Sequence, residues 1–215
     1  MEPPPELDQK IVIDALTEFT SRLDEVYGLY LDATQGFRGN SELIARLQSE
    51  ARHLVPDPAK QDELPFIVGR GDPNDKASVV LHQTTQGRFK QRNVEAGPND
   101  RLLAQYFVVL VFHLWEHEYR PRIAKVLGVS GPEDLELDIF GDVRLIRNEI
   151  LKNKARLSRQ TTRRLRILTD LSEGQIFLSA SAVENIVRQI KASCDVLSQK
   201  AVGVDPKLRT IFRVR

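Results

Sequence analysis

The stretch Gly141–Lys154, GDVRLIRNEILKNK, sets the reading of the whole chain. Extended back to Leu135, its apolar residues Leu135, Ile139, Val143, Ile146 and Ile150 recur at spacings of four, four, three and four. That rhythm predicts a helix with one buried face, beginning near Glu133 or Asp138. Arg144, Arg147 and Asn148 then lie at the edge of the buried stripe or beyond it. From Arg144 to Arg166, nine basic side chains stand against one acid, Glu149. In a chain of 215 residues and net charge +1, a local surplus of this size can concentrate a polyanion. A basic run late in a helix also complements the helix dipole and solvates a surface, so charge alone does not choose between these uses.

The run Phe140–Leu151, FGDVRLIRNEIL, resembles the core motif of HEPN-superfamily helical domains, with a softer likeness in Trp115–Ile123, WEHEYRPRI. Many members of that family are metal-independent endoribonucleases working as homodimers, with the motifs of two copies facing across a cleft. The resemblance implies that Arg147 is the motif arginine and Asn148 its polar neighbour. Where the family's histidine falls, this chain has Lys152, and the adjacent Asn153 and Lys154 are not histidine either. Metal-free RNA cleavage needs a group that accepts the 2′-hydroxyl proton and one that returns a proton to the leaving oxygen, which an imidazole near neutrality does well. A lysine, ordinarily titrating at ~10.4, stays protonated unless strongly desolvated. Lys152 is therefore expected to contact phosphate, with cleavage weak or absent. A histidine replaced to silence a nuclease would leave the same sequence. With Arg147, Asn148 and Lys152 as the site, Arg144, Lys154, Arg156, Arg159 and Arg163 are the expected nucleic-acid contacts. RNA, a second copy of the chain, and a protein antitoxin or sensor partner are the partners the resemblance implies, in defence or toxin and antitoxin pairing.

Upstream, Asn99 or Asp100 is expected to cap a helix from Arg101 to about Leu127, apolar nearly all round between Tyr106 and Trp115 and kinked or broken at Pro121. It carries His113-Leu114-Trp115-Glu116-His117, which satisfies the H-x-x-E-H order of a family of zinc hydrolases. Two histidines four apart share a helix face, and the glutamate could activate water. No third ligand is evident, so no metal or cofactor is assigned and a zinc hydrolase through His113 and His117 stays a second alternative. Other uses are Trp115 packing with polar contacts from His113, or a helix face lining a cleft beside Arg147. Glu116 and Glu118 could also pair with the basic stretch.

Toward the amino terminus, Val12, Leu16, Phe19, Leu23, Val26 and Tyr30 predict a helix from Asp8 to Ala33. Gly36 and Gly39 are expected to end it, with Asn40 or Ser41 capping a second helix to about Leu54. Residues 55–98, rich in proline and glycine, are expected to form an irregular insert between the second and third helices. In it, Ser78–His82 and Arg88–Arg92 read as a hairpin through Thr84–Gly87, and Arg88, Lys90 and Arg92 either add phosphate contacts or solubilise it. Past the motif, Ser158 is expected to cap a basic helix through Leu171 that ends at Gly174. Gln175–Leu178 reads as a brief strand pairing with Leu208–Arg215. Ser179 or Ser181 then caps a last helix with Val183, Ile186, Val187, Ile190, Cys194 and Leu197 inward.

The expected fold is thus mainly α, a helical bundle in a single domain over 1–215, with the 55–98 hairpin insert and a minor C-terminal β element. The single Cys194 excludes an intramolecular disulfide and fits a reducing compartment. MEPPPELD has no signal-peptide arrangement and the longest clean apolar run is Phe107–Phe112, so no membrane partner and a cytoplasmic location are expected. The preferred functional expectation is an RNA-binding protein, a degenerate or silenced metal-independent endoribonuclease acting at a dimer cleft. The alternative is a non-catalytic helical interaction or dimerisation module, in which Arg147 pairs with a carboxylate such as Asp142 or Glu149 on its own helix, or with one across an interface.

Overall fold

Helix α1 (Glu6–Glu50) is one unbroken helix of 45 residues in the computed structural model, which describes residues 6–72, 75 and 77–202. It passes through Gly36 and Gly39, where two helices separated by a glycine turn were expected. Each glycine costs a helix about 1 kcal/mol relative to alanine. No proline accompanies them, and the helix runs on through Asn40 and Ser41, the expected caps of a second helix. The chain divides into two compact units, Leu31–Leu102, and Met1–Tyr30 with Leu103–Arg215.

In the unit Leu31–Leu102, a 3-10 turn at Ala51–His53 follows α1 and leads to α2 (Pro58–Glu63). Asp57 caps α2 through a 2.9 Å bond accepted from the Ala59 N–H. Strands β1 (Pro65–Arg70) and β2 (Val79–Thr85) pair antiparallel, Pro65 opposite Thr85, with a bulge between Val68 and Gly69. Helix α3 (Gln86–Asn93) starts immediately after, the Thr85 hydroxyl accepting from the Arg88 N–H. Arg88–Arg92 is therefore helical rather than a strand, and β2 takes β1 as its partner instead. The expected irregular insert at 55–98 holds two helices besides its hairpin. Gly87 lets α3 lie close on α2, because a Cβ there would stand 2.8 Å from the Asp62 Cβ.

The interior of this unit is polar. Gln48 donates to Asp62 at 3.0 Å and to Gln86 at 3.1 Å, and accepts from Lys90 at 2.6 Å. Lys90 also pairs with Asp62 at 2.7 Å. Gln61 donates to the Gln48 and Val55 carbonyls. These partners satisfy groups that would otherwise be costly to bury.

The other unit is built on aromatic packing. Helix α4 (Pro98–Leu114) runs into a π turn (Trp115–Tyr119) and then α5 (Arg120–Val126). The Arg120 N–H reaches back five residues to the Trp115 carbonyl. Pro121, expected to kink or break this helix, has no N–H to give and its ring would crowd a carbonyl one turn back, and the wider turn just before it absorbs the mismatch. Trp115 stacks on Phe140 at 4.3 Å, and Phe19 of α1 packs at 5.5 Å from Trp115 and 5.1 Å from Tyr119.

A 3-10 turn at Pro132–Asp134 precedes α6 (Asp138–Lys152), so the motif helix begins at the later of its two expected starts. Ile139, Val143 and Ile146 are buried on it and Ile150 is half-buried, while Leu135 is buried just before it. Beyond α6 come β3 (Arg156–Leu157), α7 (Arg159–Thr162) and β4 (Gly174–Gln175). Ser158 caps α7 as expected, but that helix has four residues and does not reach Leu171. Strand β4 pairs with β3. The tail Leu208–Arg215, expected to be its partner, lies outside the described residues. Helix α8 (Ala180–Ala201), capped by Ser179, buries Val183, Ile186, Val187, Ile190, Cys194 and Leu197. Among the described residues no helix is long and apolar enough to cross a membrane.

Candidate functional site

Arg147 leaves α6 at the edge of its buried stripe, where the spacing of the apolar residues puts it. Its guanidinium donates to the Asn148 side-chain oxygen at 3.0 Å and sits over the Phe112 ring of α4, 5.7 Å from the centre. Resting on an aromatic face holds a cation in place without neutralising it. On one side it borders a cleft of about 380 Å³ lined also by Tyr30, Tyr106, Leu110, His113 and His117. The two imidazoles, four residues apart across the α4 to π-turn junction, have their ring centres 4.7 Å apart. The structure thus brings together Arg147 and the histidine pair, the arrangement that one of the expected uses of this helix face describes.

The acids proposed as partners for Arg147 are engaged elsewhere. Asp142, buried, accepts the backbone N–H groups of Arg166, Ile167 and Leu168, at distances of 2.7–3.0 Å. Glu149 accepts from the Ser158 hydroxyl at 2.7 Å, the Ser158 N–H and the Thr161 hydroxyl. Burial pushes the Glu149 carboxyl up, but the Thr161 and Ser158 hydrogen bonds outweigh it and hold the group below its ordinary value. An ion pair between Arg147 and Asp142 or Glu149 is therefore not formed, because both carboxylates are committed to the segment after α6.

The remaining expected site residues do not form one patch. Arg144 and Arg163 line a second cleft, about 510 Å³, together with Arg164, Arg166, Glu116 and Asp138. Arg120 pairs with Glu116 at 2.8 Å, and Arg166 pairs with Asp138. Arg144, Arg163 and Arg164 have no carboxylate partner among the described residues. Phe112, over whose ring Arg147 sits, also lines this cleft. Lys152, Lys154, Arg156 and Arg159 are exposed at and beyond the end of α6 and line neither cleft. Lys154 and Ala155 turn the chain sharply there, with φ of 52° and 55°.

For the zinc alternative, Glu116 would be the water-activating group, yet it faces Arg120 and lines the other cleft. Among the described residues no three or more His, Cys, Asp or Glu side chains are grouped to hold a metal ion. Tyr106 and Tyr30 are cleft residues that sequence reasoning did not single out. Tyr30 falls on the apolar stripe of α1 and Tyr106 on the apolar run of α4, and both patterns read as core. No family model, curated protein or solved structure matches the chain.

Proposed function

We propose that this chain is an RNA-binding helical protein of the HEPN kind, with Arg147 as its central phosphate contact. The observation that supports this reading is the state of Arg147: a guanidinium at the rim of a cleft, over the Phe112 ring and bonded to Asn148, with no carboxylate partner among the described residues. A backbone phosphate arriving there meets a cation already oriented and partly shielded from water, where the attraction is stronger than at an open surface. Tyr106, an exposed aromatic in the same cleft, offers a face on which an unpaired base can stack. Arg144, Arg163 and Arg164 in the other cleft, with Lys152, Lys154, Arg156 and Arg159 beyond α6, extend the positive field that draws a polyanion in.

A second reading, a non-catalytic interaction or dimerisation module, has its own support. Leu29 (65 % exposed), Tyr106 (61 %) and Leu110 (40 %) leave apolar surface open around the same cleft, which a second copy of the chain could cover.

Retention of a labelled single-stranded RNA on a filter, measured over a salt series, separates the two. The RNA reading expects affinity that falls steeply with salt and drops by about tenfold or more in Arg147→Ala, with a shallower slope. Indifference to RNA, with a dimer mass in solution that is lost when Leu29 and Leu110 become charged, favours the second.

A further inference from the structure

We infer that the larger cleft, about 510 Å³, binds a compact anion with several closely spaced charges, of the tripolyphosphate kind. This site is separate from the cleft at Arg147 and does not depend on the RNA reading.

Five arginines line the cleft, Arg120, Arg144, Arg163, Arg164 and Arg166, against four acids, Glu116, Glu136, Asp138 and Asp142. Three of the acids are already engaged. Glu116 pairs with Arg120, Asp138 pairs with Arg166, and Asp142 accepts the backbone N–H groups of Arg166, Ile167 and Leu168. Arg144, Arg163 and Arg164 are left without a carboxylate partner among the described residues, facing Glu136 alone. Arg144 comes from α6, and Arg163 and Arg164 from the segment that Asp142 ties back along that helix. Two parts of the chain thus bring uncompensated guanidiniums to one concavity. Under them the lining is apolar, with Phe112, Trp115, Leu137, Phe140 and Leu165 all buried. A low-dielectric floor beneath charges of one sign focuses their field into the cleft.

The lining also selects the kind of anion. Guanidinium forks match the oxygens of phosphate, and three of them suit a ligand with phosphates in close succession. The volume is that of a small-molecule site. The aromatic residues of the lining, Phe112, Trp115 and Phe140, are buried, so they offer no open face to an unpaired base, whereas single-stranded nucleic acid is held largely by stacking. Glu136, exposed in the lining, disfavours an extended polyanion that would run past it.

The test is calorimetric titration of the full chain with inorganic tripolyphosphate, in EDTA and over a salt series, beside orthophosphate and ATP. Expected is one tripolyphosphate per chain, bound about tenfold or more tighter than orthophosphate and more weakly as salt rises. ATP carries the same phosphates with a nucleoside attached and separates the sources. Equal binding means that the phosphate chain of a larger molecule is accepted, and much weaker binding that the free chain is the ligand. Arg144→Ala, Arg163→Ala and Arg164→Ala each lower the affinity by about tenfold, and Arg164→Lys recovers part of the loss. Arg147→Ala, and Arg159→Ala in an exposed arginine that lines neither cleft, leave it unchanged. The three arginines are exposed, so their removal spares the core, and unchanged circular dichroism checks it. Absence of binding at low salt, orthophosphate bound as tightly as tripolyphosphate, or a loss in Arg159→Ala as large as in Arg164→Ala overturns the inference. So does displacement of tripolyphosphate by single-stranded RNA in Arg147→Ala, which would make these arginines part of an RNA surface. A parent chain that binds tripolyphosphate but retains no RNA removes only the RNA reading.

Discussion

Asp142 and Glu149 stand seven residues apart on α6 and between them hold the basic segment that follows it. Asp142 takes the backbone N–H groups of Arg166, Ile167 and Leu168, and Glu149 takes the Ser158 and Thr161 hydroxyls. Two acids thus fold a run of arginines back along the motif helix without pairing with the Arg147 side chain.

Removing the Asp142 carboxylate should therefore be costly. Asp142→Ala strands three backbone donors, one buried at Leu168 and two part-buried at Arg166 and Ile167, and a buried unsatisfied donor costs about 1–3 kcal/mol. The expected outcome is a loss of about 3 kcal/mol or more in a urea melt, with Arg163 and Arg166 newly sensitive to trypsin. A variant as stable as the parent would show that the segment is held by other contacts.

Glu149 gives this attachment a pH dependence. Its carboxyl is held below its ordinary value by hydroxyl hydrogen bonds that outweigh its burial. A group lowered in the folded state stabilises it above the unfolded value, ~4.3 for glutamate, and that contribution is lost as pH falls through the lower folded value. Thermal melts of the parent and Glu149→Gln should differ at pH 7 and converge at about pH 3. A gap that stays constant over that range would deny the carboxylate any such part.

Cys194 is inward on α8, and burial, with Asp195 next to it in sequence, pushes its thiol up to about 12. Because only the thiolate reacts, a disulfide reagent should leave the native chain unlabelled for hours and modify it promptly in denaturant. Rapid labelling of the native protein would mean that α8 opens readily.

Much of this architecture could be read from residue spacing. Val183, Ile186, Val187, Ile190, Cys194 and Leu197 recur at helical intervals and are buried on α8, and Ser179 caps it. Local signals failed where tertiary or capping contacts decide. Gly36 and Gly39, with Asn40 and Ser41 after them, read as a stop and a new cap, yet the helix continues through all four. Arg88–Arg92 alternates like a strand, but the hydroxyl of Thr85 starts a helix just before it. The placement of Arg147 at the edge of its helix was legible from the α6 stripe. That the His113 face lines a cleft beside Arg147 was one of several readings open from the sequence; choosing it depends on how α4 packs against α6, and so does the division of the basic run between two clefts. Spacing within one segment carries no information about either.

The polar interior of Leu31–Leu102 has a consequence for when parts of the chain loosen. Among its described large apolar side chains only Ile44 is buried, whereas the other unit buries Phe19, Trp115, Ile139 and many more. A segment held mostly by amide and ammonium contacts has little water-excluding mass to resist transient opening. Its backbone should trade protium for deuterium well before α6 and α8 do, so the chain would melt by parts rather than as one block.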